Sequence, residues 1–282
     1  MRAGARIVAE ADGRGGTRLT VLRGESPLLP RRTGGRGEAG ATVHLVGGAA
    51  GPLRGDDLRL EIAVGPGARL TVRSVAAQLA LPGRAGLPAS RFEIRATVAG
   101  TLRWLPEPLI AAAGCDHVLS TRVDVAAGGT LLWREDLVCG RHAEPTGEVR
   151  LSTTIRYGGA TLYRHDLSVG PDARSAAVLG EHRAVGTLIA VPGLSGDFPA
   201  GFPATNRAAI MPLAGPGVLA TAVGADIREV RAVLDPLDAR EGGAAGIPAD
   251  IPADIPADIP ADIPADIAAD IAADIAADIP AA

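Results

Sequence analysis

LRLEIAV, Leu58–Val64, alternates apolar and polar residues with period two, and the reading of that alternation decides the fold. Successive side chains of a strand point to opposite faces, so Leu58, Leu60, Ile62 and Val64 form one buried row. The pattern returns in RFEIRATV, Arg91–Val98, and in VRLSTTI, Val149–Ile155. Gly-rich turns separate these runs. The turns GARL, GTLR, GGTLL and GGATL place glycines at Gly67, Gly100, Gly129 and Gly159, at intervals of 33, 29 and 30 residues. Each is followed within three residues by Leu70, Leu102, Leu131 or Leu162. These turns read either as a repeating unit of two strands and a glycine turn or as Gly-rich hairpins that resemble one another. The expected fold is mainly β: stacked antiparallel layers, β-helix-like, rather than one closed barrel.

Around this body the chain changes character. Residues 1–16, MRAGARIVAEADGRGG, are rich in Gly and Arg and are expected to be a flexible N-terminus. The β domain is expected over residues 17–237. About two short helices are expected. In ADIREVRAVLDPL, Ile227, Val230, Val233 and Leu234 share a face at helical spacing, Asp226 can cap the start, and Pro236 should end it. Residues 238–246 read as a polar linker. Residues 247–282 are a low-complexity tail of IPAD and then IAAD. Its prolines forbid a helix through Pro264 and favour an extended, disordered chain, whereas Asp266–Ile279 is free to form a short helix. The Asp ladder of the tail reads as expansion of a short DNA repeat in preference to a metal collector.

Composition excludes several functions. Every one of the 28 basic residues is Arg, which reads as the codon bias of a GC-rich genome. Eight of the 32 acidic residues lie in the tail, which has no basic residue, so the rest carries 28 basic against 24 acidic groups. That excess is too mild and dispersed for nucleic acid. Two cysteines, Cys115 and Cys139, make no disulfide framework. The N-terminus lacks a signal-peptide core, and no apolar run is long enough to span a membrane. A reducing cytoplasm is the default compartment. There is no G-x-S-x-G elbow, no H-E-x-x-H and no C-x-x-C, and a P-loop is impossible without lysine. The five histidines, His44, His117, His142, His165 and His182, are far apart, each more often a surface or half-buried polar residue than a ligand.

Three segments carry more character. GGAAGPLRGDDLRLEIAVGPGARL, Gly47–Leu70, sets a Gly-rich loop before an Asp pair and a strand. Asp56 there reads either as a cap at the strand entrance or as a buried or ion-facing carboxylate. LRWLPEPLIAAAGCDH, Leu102–His117, closes a strand at Trp104-Leu105-Pro106, with Pro108 barring a helix and Ile110 anchoring the next run. LVCGRHAEPTGE, Leu137–Glu148, gathers a thiol, a guanidinium, an imidazole and two carboxylates.

In this order the segments resemble the urease accessory protein UreD (UreH) family. The resemblance rests on Gly55-Asp56, on Gly67-Ala68-Arg69-Leu70, on Trp104, Leu105, Pro106, Pro108 and Ile110, and on Gly140-Arg141. It covers roughly residues 17–235. Two segments depart from the family pattern. VRSVAAQLALPG, Val72–Gly83, keeps Ala76-Ala77 but lacks the usual Lys, and Gly147-Glu148 comes two residues late, so Glu144 and Glu148 compete for the family's acidic position.

The resemblance implies a scaffold and not an enzyme: a urease maturation factor linking a UreF-type protein and a UreG-type GTPase to the urease apoprotein. It implies no permanently bound cofactor, with nickel in transit along an internal path. Such an ion needs oxygen or nitrogen ligands that release it. Asp56, Glu144 and Glu148 are then the candidates, followed by His142. Cys139, which ends an apolar strand, reads as a small buried thiol. Gly55, Trp104, Pro106, Gly140 and Arg141 are expected to be structural or docking residues, with Arg141 able to orient a carboxylate by paired hydrogen bonds. Two other readings are a β-rich protein-binding module unrelated to nickel and an enzyme using Asp56 and a Glu as an acid/base pair.

Overall fold

In a computed structural model of the chain, residues 1–34, 40–171, 178–192 and 207–241 are described. The strands are β1 (Arg2–Ala11), β2 (Thr17–Gly24), β3 (Leu28–Thr33), β4 (Ala41–Gly47), β5 (Asp57–Val64), β6 (Arg69–Ser74), β7 (Gln78–Ala80), β8 (Ser90–Val98) and β9 (Thr101–Leu105). There follow β10 (Leu109–Ala111), β11 (Asp116–Val125), β12 (Thr130–Cys139), β13 (Glu148–Tyr157), β14 (Ala160–Val169), β15 (Ala184–Val191), β16 (Ala208–Pro212) and β17 (Val218–Gly224), then helix α1 (Ile227–Glu241).

The repeated unit has a concrete meaning. Strands β5, β8 and β11 lie in one sheet, of order β14-β13-β11-β8-β5-β1-β2. Each turns a glycine corner into β6, β9 or β12 of a second sheet, whose main path runs β16-β17-β15-β12-β9-β6-β4-β3. The corners stack by hydrogen bonds from Thr101 N to Ala68 O (2.9 Å) and from Thr130 N to Gly100 O (2.8 Å). Stacking this close demands glycine: a Cβ on Gly100 would lie 2.3 Å from Ala68 O. Gly159 is different. It closes a hairpin between β13 and β14 inside the first sheet.

The mainly-β, layered expectation holds, but the strand sense is corrected. The ladders β1–β5–β8–β11–β13 and β4–β6–β9–β12 are parallel, and antiparallel pairs occur towards the edges. A strand that turns a corner into the other layer returns in its original direction. Parallel strands usually have both faces covered and read as continuous apolar runs. Here the outer face of the first sheet carries Arg and Glu, as in Arg95–Glu93 (2.6 Å) and Arg6–Glu61 (3.8 Å). That solvated face produces the alternation more typical of antiparallel sheets.

Residues 1–16 are not a flexible arm. Arg2–Ala11 is a strand paired in parallel with β5, and Ala3, Ala5, Ile7 and Ala9 are buried. Small Ala and Gly side chains hid its alternation. This strand is thus part of the domain, whose core lies between the sheets around Ile7, Leu60, Ile94, Leu102, Val123 and Trp133.

Helix α1 is the one helix among the described residues. Asp226 caps it by accepting from Arg228 N (2.8 Å) and Glu229 N (3.2 Å). Val230, Leu234 and Leu237 are buried against β15 and β17. Pro236 does not end the helix, which continues to Glu241 and takes in the start of the expected linker. Pro236 cannot donate to the Ala232 carbonyl. Burial of Leu237 and pairing of Asp238 with Arg103 hold the last turns in its place. The expected tail, residues 247–282, lies outside the described residues, as do 242–246 of the linker.

Candidate functional site

The loop between β12 and β13 is built around one carboxylate. Glu144 accepts from Arg141 N (2.8 Å), Nε (2.9 Å) and Nη2 (3.0 Å), and from Ala113 N (3.3 Å). The Arg141 fork and these backbone amides pull its pKa down to about 2. Inside the loop, Arg183 Nη2 donates to the carbonyls of Cys139, Arg141 and Glu144 at 2.8–2.9 Å. Gly140 has φ +79°, and a Cβ there would meet Glu144 O at 2.6 Å. Arg141 thus does orient a carboxylate, but within its own loop. Cys139 is buried, and burial raises its thiol pKa. His142 and Glu148 are both exposed. Of the two competing glutamates, Glu144 is half-buried and fully engaged, and Glu148 faces solvent at the start of β13.

Asp56 is buried and also engaged. Its Oδ1 accepts from the Met1 amino group (2.7 Å) and its Oδ2 from Leu53 N (2.9 Å). Gly55, at φ +87°, allows the turn into β5. Asp56 and Glu148 begin parallel strands three spacings apart, about 14 Å. They do not converge. Among the described residues no three metal-capable side chains come together.

The interior offers more. A cavity of about 390 Å³ lies between the sheets. Phe92, Ile94, Leu119 and Leu151 line its floor, and Trp104 and Pro106 one flank. Trp104 stacks on Trp133 with ring centroids 4.9 Å apart. Its rim includes Ala76 and Ala77, in the segment that departs from the family pattern. Glu135 projects into this space. Its Oε1 accepts from Trp133 Nε1 (3.0 Å), and Thr153 Oγ1 donates to both its oxygens at 2.8 and 2.9 Å. These donors are neutral, and no ion pair reaches Glu135 among the described residues. Glu135 keeps some accessible surface, but it lines the cavity, and burial pushes its pKa up.

An opening through the second sheet adjoins Glu135. Pairing of β9 with β12 stops at Trp104–Trp133, and pairing of β10 with β12 starts only at Leu109–Leu137. Between them lie Pro106, Glu107 and Pro108, and the prolines have no N–H to bridge the gap. The Trp-Leu-Pro corner is therefore one bank of an opening. The strand that Cys139 ends, LLWREDLV, reads as apolar in the sequence, and that reading passes over Glu135. The signal was there: three successive charges, Arg134-Glu135-Asp136, inside an otherwise apolar strand. Alternation sends Glu135 inward and its neighbours outward.

His117 was also misplaced by the general expectation for histidine, since it is fully buried. Ser90 Oγ donates to Asp116 O (3.2 Å), so it accepts from His117 Nδ1–H (2.9 Å), and the ring is the Nδ1–H tautomer. Burial depresses its pKa to about 4, from 6.5. Between these values the unfolded chain binds a proton and the folded chain does not. Stability from His117 is complete above about pH 6.5 and falls by about 3 kcal/mol as the pH drops to 4. Asp136, raised to about 6 by burial, acts in the opposite direction. Urea unfolding of the wild type and of His117→Leu at pH 7 and pH 4 isolates the histidine. The wild type should lose about 3 kcal/mol more than the variant, and equal losses would refute the assignment.

The chain also resembles known proteins in sequence. A family model described as UreD urease accessory protein matches residues 1–252. A protein of Streptomyces coelicolor named urease accessory protein UreD is 47% identical over 244 residues, covering 83% of this chain and 94% of that one. One of Streptomyces griseus named urease accessory protein UreD 3 is 45% identical over 245 residues, covering 83% and 95%. One of Parafrankia named urease accessory protein UreD is 41% identical over 262 residues, covering 84% and 88%.

Proposed function

The chain belongs to the UreD urease accessory protein family, and from that premise we propose that it is a non-enzymatic scaffold through which nickel reaches urease. In this reading it joins a UreF-type protein and a UreG-type GTPase to the urease apoprotein in the cytoplasm, and nickel is its cargo. One observation carries the reading: an interior cavity whose wall presents Glu135, a carboxylate with neutral donors and no basic partner among the described residues. A carboxylate of this kind compensates a passing cation and, being a single oxygen ligand, releases it. Around Trp104 and Leu119 the walls are apolar.

The other candidates take different parts. Gly55 and Asp56 shape the entry to β5, and Gly140, Arg141 and Glu144 hold the loop after β12. Trp104 and Pro106 frame the cavity. Glu148 and His142, exposed on that loop, are available for docking. Affinity purification with the full chain as bait, from cells making urease without nickel, tests the scaffold. The urease apoprotein and the two accessory proteins should co-purify. Recovery of the chain without urease would count against it.

A further inference from the structure

The outer face of the second sheet falls into two parts. Helix α1, the one helix among the described residues, packs on β12, β15 and β17. Pairing of Asp238 with Arg103 brings its last turns to β9. Beyond Arg103 lie β6, β4 and β3, the last being the edge of the sheet. Register fixes which of their residues face outward. Val43, Val72 and Trp104 form one cross-strand row and are buried in the core. Side chains alternate along a strand, so the flanking rows face out. One is Arg31–His44–Arg73, and the next is Thr33–Thr42–Thr71, which ends at Arg103. Arg69 adds a further cation on β6, four residues before Arg73.

This uncovered part carries charge of one sign. Strands β3, β4, β6 and β9 contain no Asp or Glu. Arg31, Arg69 and Arg73 are exposed, and none of them forms an ion pair among the described residues. On the outer face of the first sheet the arginines are paired, as in Arg6–Glu61 (3.8 Å), Arg59–Asp57 (3.5 Å) and Arg95–Glu93 (2.6 Å). The whole chain has a net charge of −4, so the unpaired arginines are a local feature and not a consequence of composition.

The spacing of the charges indicates what they fit. Arg31 and Arg73 stand two strand spacings apart, about 10 Å, and Arg69 and Arg73 stand about 13 Å apart along β6. Guanidinium groups spread in this way suit several separate carboxylates better than a single phosphate. Strands β3, β4 and β6 also hold no Phe, Tyr or Trp on which a nucleic-acid base could stack.

We propose that the outer face of β3, β4 and β6 is a docking surface for an acidic segment of a partner protein. Its carboxylates pair with Arg31, Arg69 and Arg73, and Thr33, Thr42 and Thr71 offer hydroxyls between them. The surface goes beyond the nickel-transit reading and does not depend on it, because it follows from the charges on this face alone.

The probe is a short, fluorescently labelled polyglutamate peptide, whose anisotropy is measured with the full chain. It should bind at low salt despite the negative net charge of the chain, and binding should weaken as salt is raised. Arg31→Gln/Arg69→Gln/Arg73→Gln should weaken binding about tenfold. Arg6→Gln/Arg59→Gln/Arg95→Gln makes the same change in net charge on the other sheet and should weaken binding far less. Equal effects of the two variants overturn the surface, as does a wild type that binds no peptide at low salt. Preference for duplex DNA over a peptide of equal total charge also overturns it. Should the first variant unfold, amide chemical shifts of the wild type on peptide addition decide. Shifts centred on β3, β4 and β6 support the surface, and shifts centred elsewhere overturn it.

Discussion

Glu135→Gln should leave the chain folded and lower nickel-dependent urease activation by at least about tenfold. The amide oxygen still accepts from Trp133 Nε1 or Thr153 Oγ1, so the bonds that position the side chain survive. The charge does not. A cation inside a low-dielectric cavity without its counter-charge is disfavoured by more than about 1.4 kcal/mol, which corresponds to that tenfold factor. Stability should hold or rise slightly, because a carboxylate no longer has to be desolvated. Activation is measured as urease activity after nickel addition to cells carrying each form, with thermal unfolding as the control. Wild-type activation by a folded Glu135→Gln chain would remove Glu135 from the path.

The largest effect on folding is expected at Trp133. This side chain is fully buried, stacks on Trp104 and donates to Glu135. Trp133→Ala removes that packing where three strands meet, because β12 pairs with β9, β15 and β10 along its length. A loss of about 3–5 kcal/mol follows for a buried Trp-to-Ala change. For a domain of this size that lowers Tm by roughly 10 °C. The loss should exceed that of Trp104→Ala, since Trp104 borders the cavity and its neighbours have less to lose. Calorimetry on both variants checks the order, and equal or inverted losses would contradict the packing described.

Much of the fold was legible in the sequence. The alternation at Leu58–Val64 and Arg91–Val98 located the strands, and the glycines at Gly67, Gly100 and Gly129 located the corners. Strand direction was not legible, because the Arg and Glu residues on the outer face give a parallel sheet the pattern of a half-solvated antiparallel one. The first strand escaped notice because Ala3, Ala5 and Ala9 bury little area and resemble filler. Pro236 misled for a different reason: tertiary contacts through Leu237 and Asp238 outweigh one missing helix bond.

The candidate site was legible only in part. Sequence proximity at Leu137–Glu148 drew attention to Glu144 and Glu148, yet Glu144 is consumed by Arg141 and Glu148 points outward. Asp56 was open to two readings, a cap at the strand entrance or a buried carboxylate, and it is both buried and engaged, its oxygens tying down its own loop. Glu135 sits only two residues before Leu137, and what sets it apart is a long-range fact. The unpaired gap between β9 and β12 exists only once Trp104–Trp133 and Leu109–Leu137 are in register.

The most direct measurement is the nickel content of urease purified from cells lacking this chain. Urease subunits should be made in normal amount and hold little or no nickel, and supplying the chain in trans should restore the metal. Urease fully loaded with nickel in its absence, at ordinary nickel supply, would contradict a role in delivering the metal.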